Sequence, residues 1–490
     1  MAQPLSEGGR IARNFAALFS SQAAAAAAGL VATAFLARML GTESFGVLGF
    51  GVAILSYFGL LVTLGTDVYG AREIAQTPAR AARLVHDLLG LRTATVAAVS
   101  VLYFVVVFAL DLPERVRVVL WIQGAGLLAT AYTLDFVFQG LQRMGAIAAR
   151  QTMASALSLA LVLLVVRTPE DVYLAALAPV AAGALTAGWL ALRMHRAVLP
   201  FGIAVRPAAW RPMLKASLPI AVAQLMGAVF FYIDIVMLGF METPHLVGVY
   251  VGMSRVLMVT LVAAGLIGSV FLPVVAAAWP DAGPMRARYR DFMIAALLAG
   301  APVALAGMAF PAEIVSVIFG APYLGGTTAL TILMGMTLAA YLAMAPAGAL
   351  TSWHDQTWHM VAFSAGGVAN VALNLVLIPR YGIEGAATAT LLAQLLVLAV
   401  AATRIWLRFR LFEMGPAAAL VLAAAIAAAA ARWLADAVLG DAPALAVLAV
   451  GGTCGAAIYL GLVAAMRIVP LRRLRGAVAG RLRKDDAGDR

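Results

Sequence analysis

Charged residues divide this sequence into long apolar runs, and the lengths of those runs predict its secondary structure. Arg13 and Arg38 enclose 24 uncharged residues, and Glu43 and Asp67 enclose 23. A helix that crosses a bilayer needs about 20 mostly apolar residues, with a range of about 17–25. Fourteen runs follow one another along the chain: 14–37, 44–66, 93–110, 118–134, 151–166, 172–192, 216–233, 256–280, 292–312, 314–353, 356–379, 385–403, 414–431 and 442–466. The run 314–353 is longer, and we interpret it as an outer loop followed by one helix.

The runs show no alternation with period two, which excludes the strands of a membrane barrel. The composition agrees, because 63% of the 490 residues are hydrophobic and only 12% are charged. Soluble domains are about 45–50% apolar and about 25% charged. The sequence therefore predicts an all-α polytopic membrane protein with about 14 transmembrane helices.

The placement of basic residues predicts the orientation of these helices. The net charge of +11 would suggest a nucleic-acid partner in a soluble protein, but in a membrane protein it is typical of the positive-inside rule. With the N-terminus inside, 27 of the 34 lysines and arginines fall on the inner side, six fall outside, and Arg255 lies within a span. Both termini are therefore expected in the cytoplasm, with no nucleic-acid partner. The basic tail 467–490 is expected to lie on anionic membrane lipids.

A weak internal repeat suggests how the helices are grouped. Met39-Leu40-Gly41 and Met237-Leu238-Gly239 each end an apolar run, and an acidic loop follows each. Their separation fits one six-helix unit. The predicted organisation is an N-lobe at 1–192, a cytoplasmic linker at 193–215, a C-lobe at 216–410, two added helices at 411–466 and the tail at 467–490.

Several ordered motifs resemble a known family. They are LGTESFGVLGFGVAIL with YGAREIA, SLPIAVAQ, DIVMLG, VGVYVGMSRV, FGAPYLGG and NLVLIPRYGIEGAATAT, spread over most of residues 10–400. This set resembles the polysaccharide-biosynthesis, Wzx-type O-antigen flippases of the multidrug/oligosaccharidyl-lipid/polysaccharide exporter superfamily. The resemblance implies a two-lobed exporter in the bacterial inner membrane that passes a polyprenyl-diphosphate-linked oligosaccharide to the outer leaflet. It also implies a polysaccharide polymerase and a chain-length regulator as partners.

Enzymatic functions find little support in the sequence. Neither Lys215 nor Lys484 stands in the Gly-Lys-Ser/Thr of a phosphate-binding loop, so ATP hydrolysis is not expected. The single cysteine, Cys454, excludes an intrachain disulfide. His354 and His359 are five residues apart, which does not suit metal binding, and their tryptophan-flanked loop is typical of a membrane interface. We expect a transporter with no catalytic residues, no metal and no cofactor.

Charged residues inside the spans are the first candidates for function, because each costs about 2.5–3.5 kcal/mol to insert at mid-membrane. Asp67 and Asp135 stand near inner helix ends, whereas Asp234 and Arg255 stand deeper, on two successive antiparallel helices. Three interpretations remain open. Asp234 and Arg255 form a structural ion pair; or Arg255 faces a cavity and binds the diphosphate of the substrate; or Asp234 binds a coupling proton or Na⁺. Asp67 and Asp135 are further ion-coupling candidates.

Neutral polar residues within the spans are the second group of candidates. Asn370 and Asn374 are four residues apart, so their amides share one helix face. Two interpretations stay open for these asparagines and for Gln22 and Gln224: hydrogen bonding between packed helices, or lining a sugar path. Arg13 and Asn14, at the inner mouth of the first helix, are candidates for meeting the diphosphate.

Two other functions stay open. A small-molecule or multidrug cation antiporter of the same superfamily would need acidic cavity residues, which the three aspartates offer, and Arg255 argues against it. A membrane-embedded polysaccharide polymerase or ligase would need a long outer loop, which the run lengths do not predict.

Overall fold

The computed structural model describes residues 7–411, 413–440 and 442–466, with side chains described from Ala24 onward. The described chain is helical and contains no β-strand. The predicted basic tail at 467–490 lies outside the described residues. So do the side chains of Arg13, Asn14 and Gln22, whose backbone lies within the first helix.

Sixteen α-helices make up the described part of the chain. They are α1 (Glu7–Thr63), α2 (Thr66–Gln76), α3 (Ala81–Ala109), α4 (Glu114–Gly124), α5 (Gly126–Ala131), α6 (Asp135–Gly140), α7 (Met144–Val165), α8 (Val172–Ala197), α9 (Pro207–Met241), α10 (Pro244–Ala276), α11 (Ala282–Ala309), α12 (Pro311–Ile318), α13 (Thr327–Ser352), α14 (Gln356–Phe409), α15 (Met414–Leu439) and α16 (Ala444–Ala465). Short 3₁₀ turns occupy Pro78–Arg80 and Ala321–Gly326.

Twelve helical segments of the described chain are long and apolar enough to span a membrane. The two longest helices, α1 with 57 residues and α14 with 54, exceed what one span requires. Each contains a glycine with non-helical backbone angles: Gly41 has a φ of 73° and Gly382 a φ of 54°. A positive φ is accessible to glycine without the steric cost of a Cβ. Each long helix is therefore two helices joined by a sharp bend.

The chain divides into two compact units. The first takes the described residues of Met1–Val262, Ile318–Leu333 and Met360–Val397. In it, α1 packs against α7 and α9, and buried side chains from α3, α6 and α8, among them Leu88, Phe136 and Leu190, form a core.

The second unit takes the described residues of Ala263–Val317, Met334–His359 and Leu398–Arg490. In it, α11 packs against α15, and α15 packs against α16. Its core contains the large aromatic residues Phe292, Tyr341, Trp353 and Tyr459. Each unit takes segments from several parts of the sequence, and the division into two sequence lobes stays a prediction.

The connection predicted at 193–215 is shorter in the structure. Helix α8 continues to Ala197 and α9 begins at Pro207, so only residues 198–206 are non-helical. Pro207 occupies the first turn of α9, where its missing N–H costs nothing. Arg206 binds Asp87 of α3 at 2.6 Å, and the amide of Ala204 donates to the carbonyl of His86 at 3.0 Å. These two contacts hold residues 198–206 against α3.

Candidate functional site

Arg255 lies on α10 and faces a cavity of about 200 Å³. The other walls of the cavity come from α1 and from the next turns of α10, and they are almost entirely apolar: Ala26, Gly29, Leu30, Thr33, Met258, Val259 and Val262. No ion pair or hydrogen bond to Arg255 occurs among the residues that the structure describes. Among the described residues, the guanidinium is therefore a cation at an apolar cavity without an anionic side chain to neutralise it.

A close approach of α1 and α10 holds Arg255 in this position. A Cβ on Gly248 would overlap the carbonyl of Thr42, and a Cβ on Gly46 would overlap the carbonyl of Pro244. Only glycine allows this contact, since the two backbones leave no room for a side chain. Close by, the hydroxyl of Thr42 and Nδ1 of His245 form a hydrogen bond of 2.6 Å. Arg255 follows Gly248 by two helical turns.

Asp234 lies on α9 and is 4% exposed. Its carboxylate accepts a hydrogen bond from the hydroxyl of Tyr250 on α10. It also accepts the backbone N–H of Ile235 at 2.9 Å, and the hydroxyl of Thr390 on α14 lies at 3.5 Å. Within the described chain, no arginine, lysine or histidine forms an ion pair with it. The predicted alternative of an Asp234–Arg255 ion pair is therefore absent from the structure described here.

Asp67 and Asp135 differ from Asp234 because each has an arginine partner. Arg92 is buried and binds Asp67 at 2.6 Å, the hydroxyl of Thr66 at 2.9 Å and the carbonyl of Thr133 at 3.2 Å. Arg150 binds both carboxylate oxygens of Asp135, at 2.6 and 2.5 Å. These pairs neutralise both carboxylates.

The structure places Asn370 and Asn374 together and fully buries both. The amide of Asn374 donates to the side-chain oxygen of Asn370 at 2.5 Å, and the amide of Asn370 points to the carbonyl of Phe230 on α9 at 3.4 Å. The side-chain oxygens of Asn374 and Gln224 are buried and have no hydrogen-bond partner in the described chain. The asparagines therefore join α14 to α9 and still leave one acceptor unused.

Tyr250 and Thr390 are site residues that the sequence did not predict. Both lie in apolar runs, where a single hydroxyl group does not by itself indicate a site. The only sequence signal is their nearness to charged positions, since Tyr250 lies five residues before Arg255 on the same helix. That spacing does not reveal a contact with Asp234.

The loop with His354 and His359 has a structural role in its own unit. Asp355 between them is bound by Arg404 at 2.7 Å and by Arg408 at 2.7 Å. The indole N–H of Trp353 donates to the carbonyl of Val275 at 2.9 Å. No group of three or more histidine, cysteine or acidic side chains suited to a metal exists among the described residues.

The described chain has twelve candidate spans, a cation at a cavity and a buried carboxylate. The spans define it as a multi-pass membrane protein. A family profile described as "Polysaccharide biosynthesis protein" matches residues 11–279, more than half of the chain. The chain therefore belongs to the polysaccharide biosynthesis protein family. This confirms the family that the sequence motifs predicted.

Solved structures with similar folds are membrane transporters. The lipid II flippase MurJ in an inward closed conformation has a TM-score of 0.75 at 13% identity, covering 92% of this chain and 98% of that one. An inward-facing multidrug resistance MATE family transporter has a TM-score of 0.66 at 15% identity, covering 78% and 94%. The outward-facing conformation of such a transporter has a TM-score of 0.57 at 14% identity, covering 82% and 96%. None of the curated protein sequences matches this chain significantly.

Proposed function

We propose that this protein is a flippase that moves a polyprenyl-diphosphate-linked oligosaccharide across the bacterial inner membrane for cell-surface polysaccharide synthesis. Transport would proceed by alternating access between the predicted lobes. The observation that carries the proposal is Arg255, a cation at an apolar cavity with no ion-pair partner in the described chain. Membership in the polysaccharide biosynthesis family and the fold shared with a lipid II flippase support a lipid-linked cargo.

The chemistry of arginine suits a diphosphate. Its planar guanidinium presents several donors that bind phosphate oxygens in pairs, and it stays charged at every physiological pH. Inserting such a side chain into a span costs about 2.5–3.5 kcal/mol when nothing neutralises it. A bound anion would offset that cost. Gln22, Gln224, Asn370 and Asn374 are proposed to offer hydrogen bonds to the glycan, and Arg13 and Asn14 to act at the inner mouth.

Asp234 is the coupling residue that the geometry favours. Asp67 and Asp135 each bind an arginine, whereas Asp234 receives only neutral donors in the described chain. A buried carboxylate without a neutralising cation gains free energy when it binds a proton or Na⁺. We therefore propose that ion coupling occurs at Asp234 rather than at the other two aspartates.

The proposed architecture has fourteen spans with both termini in the cytoplasm. Dividing α1 at Gly41 and α14 at Gly382 turns twelve long segments into fourteen, the number predicted from the sequence. Residues 198–206 form the longest connection between described helices, so this part of the chain offers no extended loop for a polymerase or ligase. A polysaccharide polymerase and a chain-length regulator are the proposed partners.

Complementation of a bacterial strain that lacks its own oligosaccharide flippase tests the proposal. We expect Arg255→Ala to abolish surface polysaccharide, because the diphosphate loses its cation. Arg255→Lys should retain part of the activity as a point charge. The matched control is Arg288→Ala, which removes an arginine half-exposed beside Asp291 and should leave activity unchanged.

The double variant Asp234→Ala/Arg255→Ala separates a binding role from a structural pair. If the double variant were active while Arg255→Ala alone was not, the two residues would act only as a pair and the proposed substrate site would be wrong. Full activity of Arg255→Ala would contradict the proposal directly.

A cation antiporter is the second candidate, favoured by the similarity to multidrug transporters of the MATE family and by the unpaired carboxylate of Asp234. Expression in a strain without its main efflux pumps distinguishes the two. Resistance to organic cations that depends on Asp234 but not on Arg255 would favour the antiporter. Unchanged susceptibility would favour the flippase.

A further inference from the structure

Tyr250 connects the two helices that carry the proposed site. Its hydroxyl lies on α10 and donates to Oδ2 of Asp234 on α9. Tyr250 is 0% exposed and Asp234 is 4% exposed, so water does not compete for this hydrogen bond. The contact therefore joins α9 and α10 through a neutral donor and a buried carboxylate.

The geometry makes Tyr250 the main side-chain donor to Oδ2. Thr390 also lies near that oxygen, at 3.5 Å, but its hydroxyl is 3.0 Å from the carbonyl of Ala386. A hydroxyl has one hydrogen, and the shorter contact takes it. The other oxygen, Oδ1, accepts the backbone N–H of Ile235. Oδ2 therefore depends on Tyr250.

The hydrogen bond weakens when Asp234 binds a proton. A charged carboxylate is a strong acceptor, whereas a protonated one carries an O–H that donates and keeps only neutral acceptor oxygens. Whichever oxygen takes the proton, Tyr250 then donates to a neutral group instead of a charged one. The tyrosine keeps its own proton throughout, and the bound proton is taken from water and later returns to water. The link between α9 and α10 is therefore weaker in the protonated state.

Arg255 lies on the same helix as Tyr250, five residues further, which is about 7.5 Å along the axis. The titratable groups that interact with Asp234 in the described chain are Tyr250 on α10 and Tyr57 on α1, whose hydroxyl donates to the carbonyl of Ala228 at 3.2 Å. Tyr232 on α9 interacts electrostatically with Tyr57 and with Arg255. Of these groups, Tyr250 contacts the carboxylate of Asp234 and lies on the same helix as Arg255.

We propose that Tyr250 is a positioning residue that couples protonation of Asp234 to the position of the Arg255 guanidinium. The proposal rests on the proposed function, and it identifies the proton as the coupling ion. Protonation weakens the Tyr250 hydrogen bond, α10 adjusts, and the affinity of Arg255 for a diphosphate changes. Substrate binding and proton binding are linked through one hydroxyl group.

The test uses the full-length protein in lipid nanodiscs, with undecaprenyl diphosphate as the probe. Its dissociation constant is measured across a pH series for the wild type, Tyr250→Phe, Tyr103→Phe and Asp234→Asn. Tyr103 is the matched control, since it is equally buried and its hydroxyl donates only to the carbonyl of Leu120, at 2.8 Å. Repeating the series at constant pH with varied Na⁺ distinguishes a sodium site from a proton site.

We expect the wild type to bind the probe with a pH-dependent affinity. The Tyr250 hydroxyl stabilises the charged carboxylate, so Tyr250→Phe should move the midpoint upward by about one pH unit or more. Tyr103→Phe should keep the wild-type midpoint, and Asp234→Asn should show no dependence on pH. A wild-type midpoint in Tyr250→Phe, or wild-type binding that responds to Na⁺ and not to pH, would overturn the proposal.

A measurement on the wild type guards against a variant that fails to fold. In infrared difference spectra across the same pH series, the carboxyl band that Asp234→Asn removes and a tyrosine C–O band should change with one midpoint. A tyrosine band that stays constant would refute the coupling. Arg255→Ala tests the proposed function separately, because it should lose the probe at every pH, whatever Tyr250 does.

Discussion

At the scale of single residues, Asp67, Asp135 and Asp234 are all charged residues within or at the ends of predicted spans, but they have different partners. Arg92 lies 25 residues from Asp67, and Arg150 lies 15 residues from Asp135. No local rule assigns these partners, since each contact depends on how helices pack. The sequence therefore identified the aspartates as a set, and only the packing separates the paired carboxylates from Asp234.

A further residue-scale prediction concerns Asp355. Its burial would raise the pKa of the carboxyl, but hydrogen bonds from Arg404 and Arg408 outweigh burial and hold that pKa below its usual value. A lowered pKa stabilises the folded state above about pH 4, and the stabilisation is lost as the pH falls through the folded-state value. We expect Asp355→Asn to lower the free energy of unfolding by about 1–3 kcal/mol at neutral pH.

Thermal unfolding in detergent across a pH series measures this effect. The difference between the wild type and Asp355→Asn should shrink as the solution becomes more acidic. Asp436→Asn is the control, because Asp436 pairs with Arg432 on an exposed helix face and should contribute less than about 1 kcal/mol. Equal losses for the two variants would mean that Asp355 is no more than a surface partner.

At the scale of the helices, glycines decide where elements bend and where they touch. Gly41 and Gly382 allow bends within α1 and α14, while Gly46 and Gly248 allow two backbones to meet. Gly248 and Gly252 are four residues apart on α10, a spacing typical of close helix packing that does not say which glycine makes the contact. The structure assigns the contact to Gly248, because a Cβ on Gly252 would meet Tyr323 at an ordinary 3.4 Å.

Alanine substitutions at these two glycines test the helix contact. Gly248→Ala should destabilise the protein by about 1–3 kcal/mol, because its Cβ forces α1 and α10 apart. Gly252→Ala should cost nothing or stabilise by a few tenths of a kcal/mol, since alanine favours a helix. The midpoint of thermal unfolding distinguishes the two, and a neutral Gly248→Ala would show that α1 and α10 do not pack this closely.

At the scale of the whole molecule, the distribution of arginines predicts an orientation that helix positions alone do not give. Reporter fusions check it: alkaline phosphatase joined after Glu242 or Glu313 should be active outside the cytoplasm, and a fusion after Asp355 should be inactive. A fluorescent-protein fusion should show the opposite pattern. Phosphatase activity at Asp355 would reverse the predicted topology of that half of the chain.

The sequence by itself determined the membrane class, the number and approximate bounds of the apolar runs and the family. These properties depend on the local balance of apolar and charged residues, because each run must be long and apolar enough by itself to cross the bilayer. Only the tertiary structure decided that Asp234 meets Tyr250 and not Arg255, that Arg255 faces a cavity and that Gly248 touches Thr42. Such contacts depend on how each helix is rotated about its axis and how deep it lies in the bilayer. A transmembrane run that is apolar on every side determines neither.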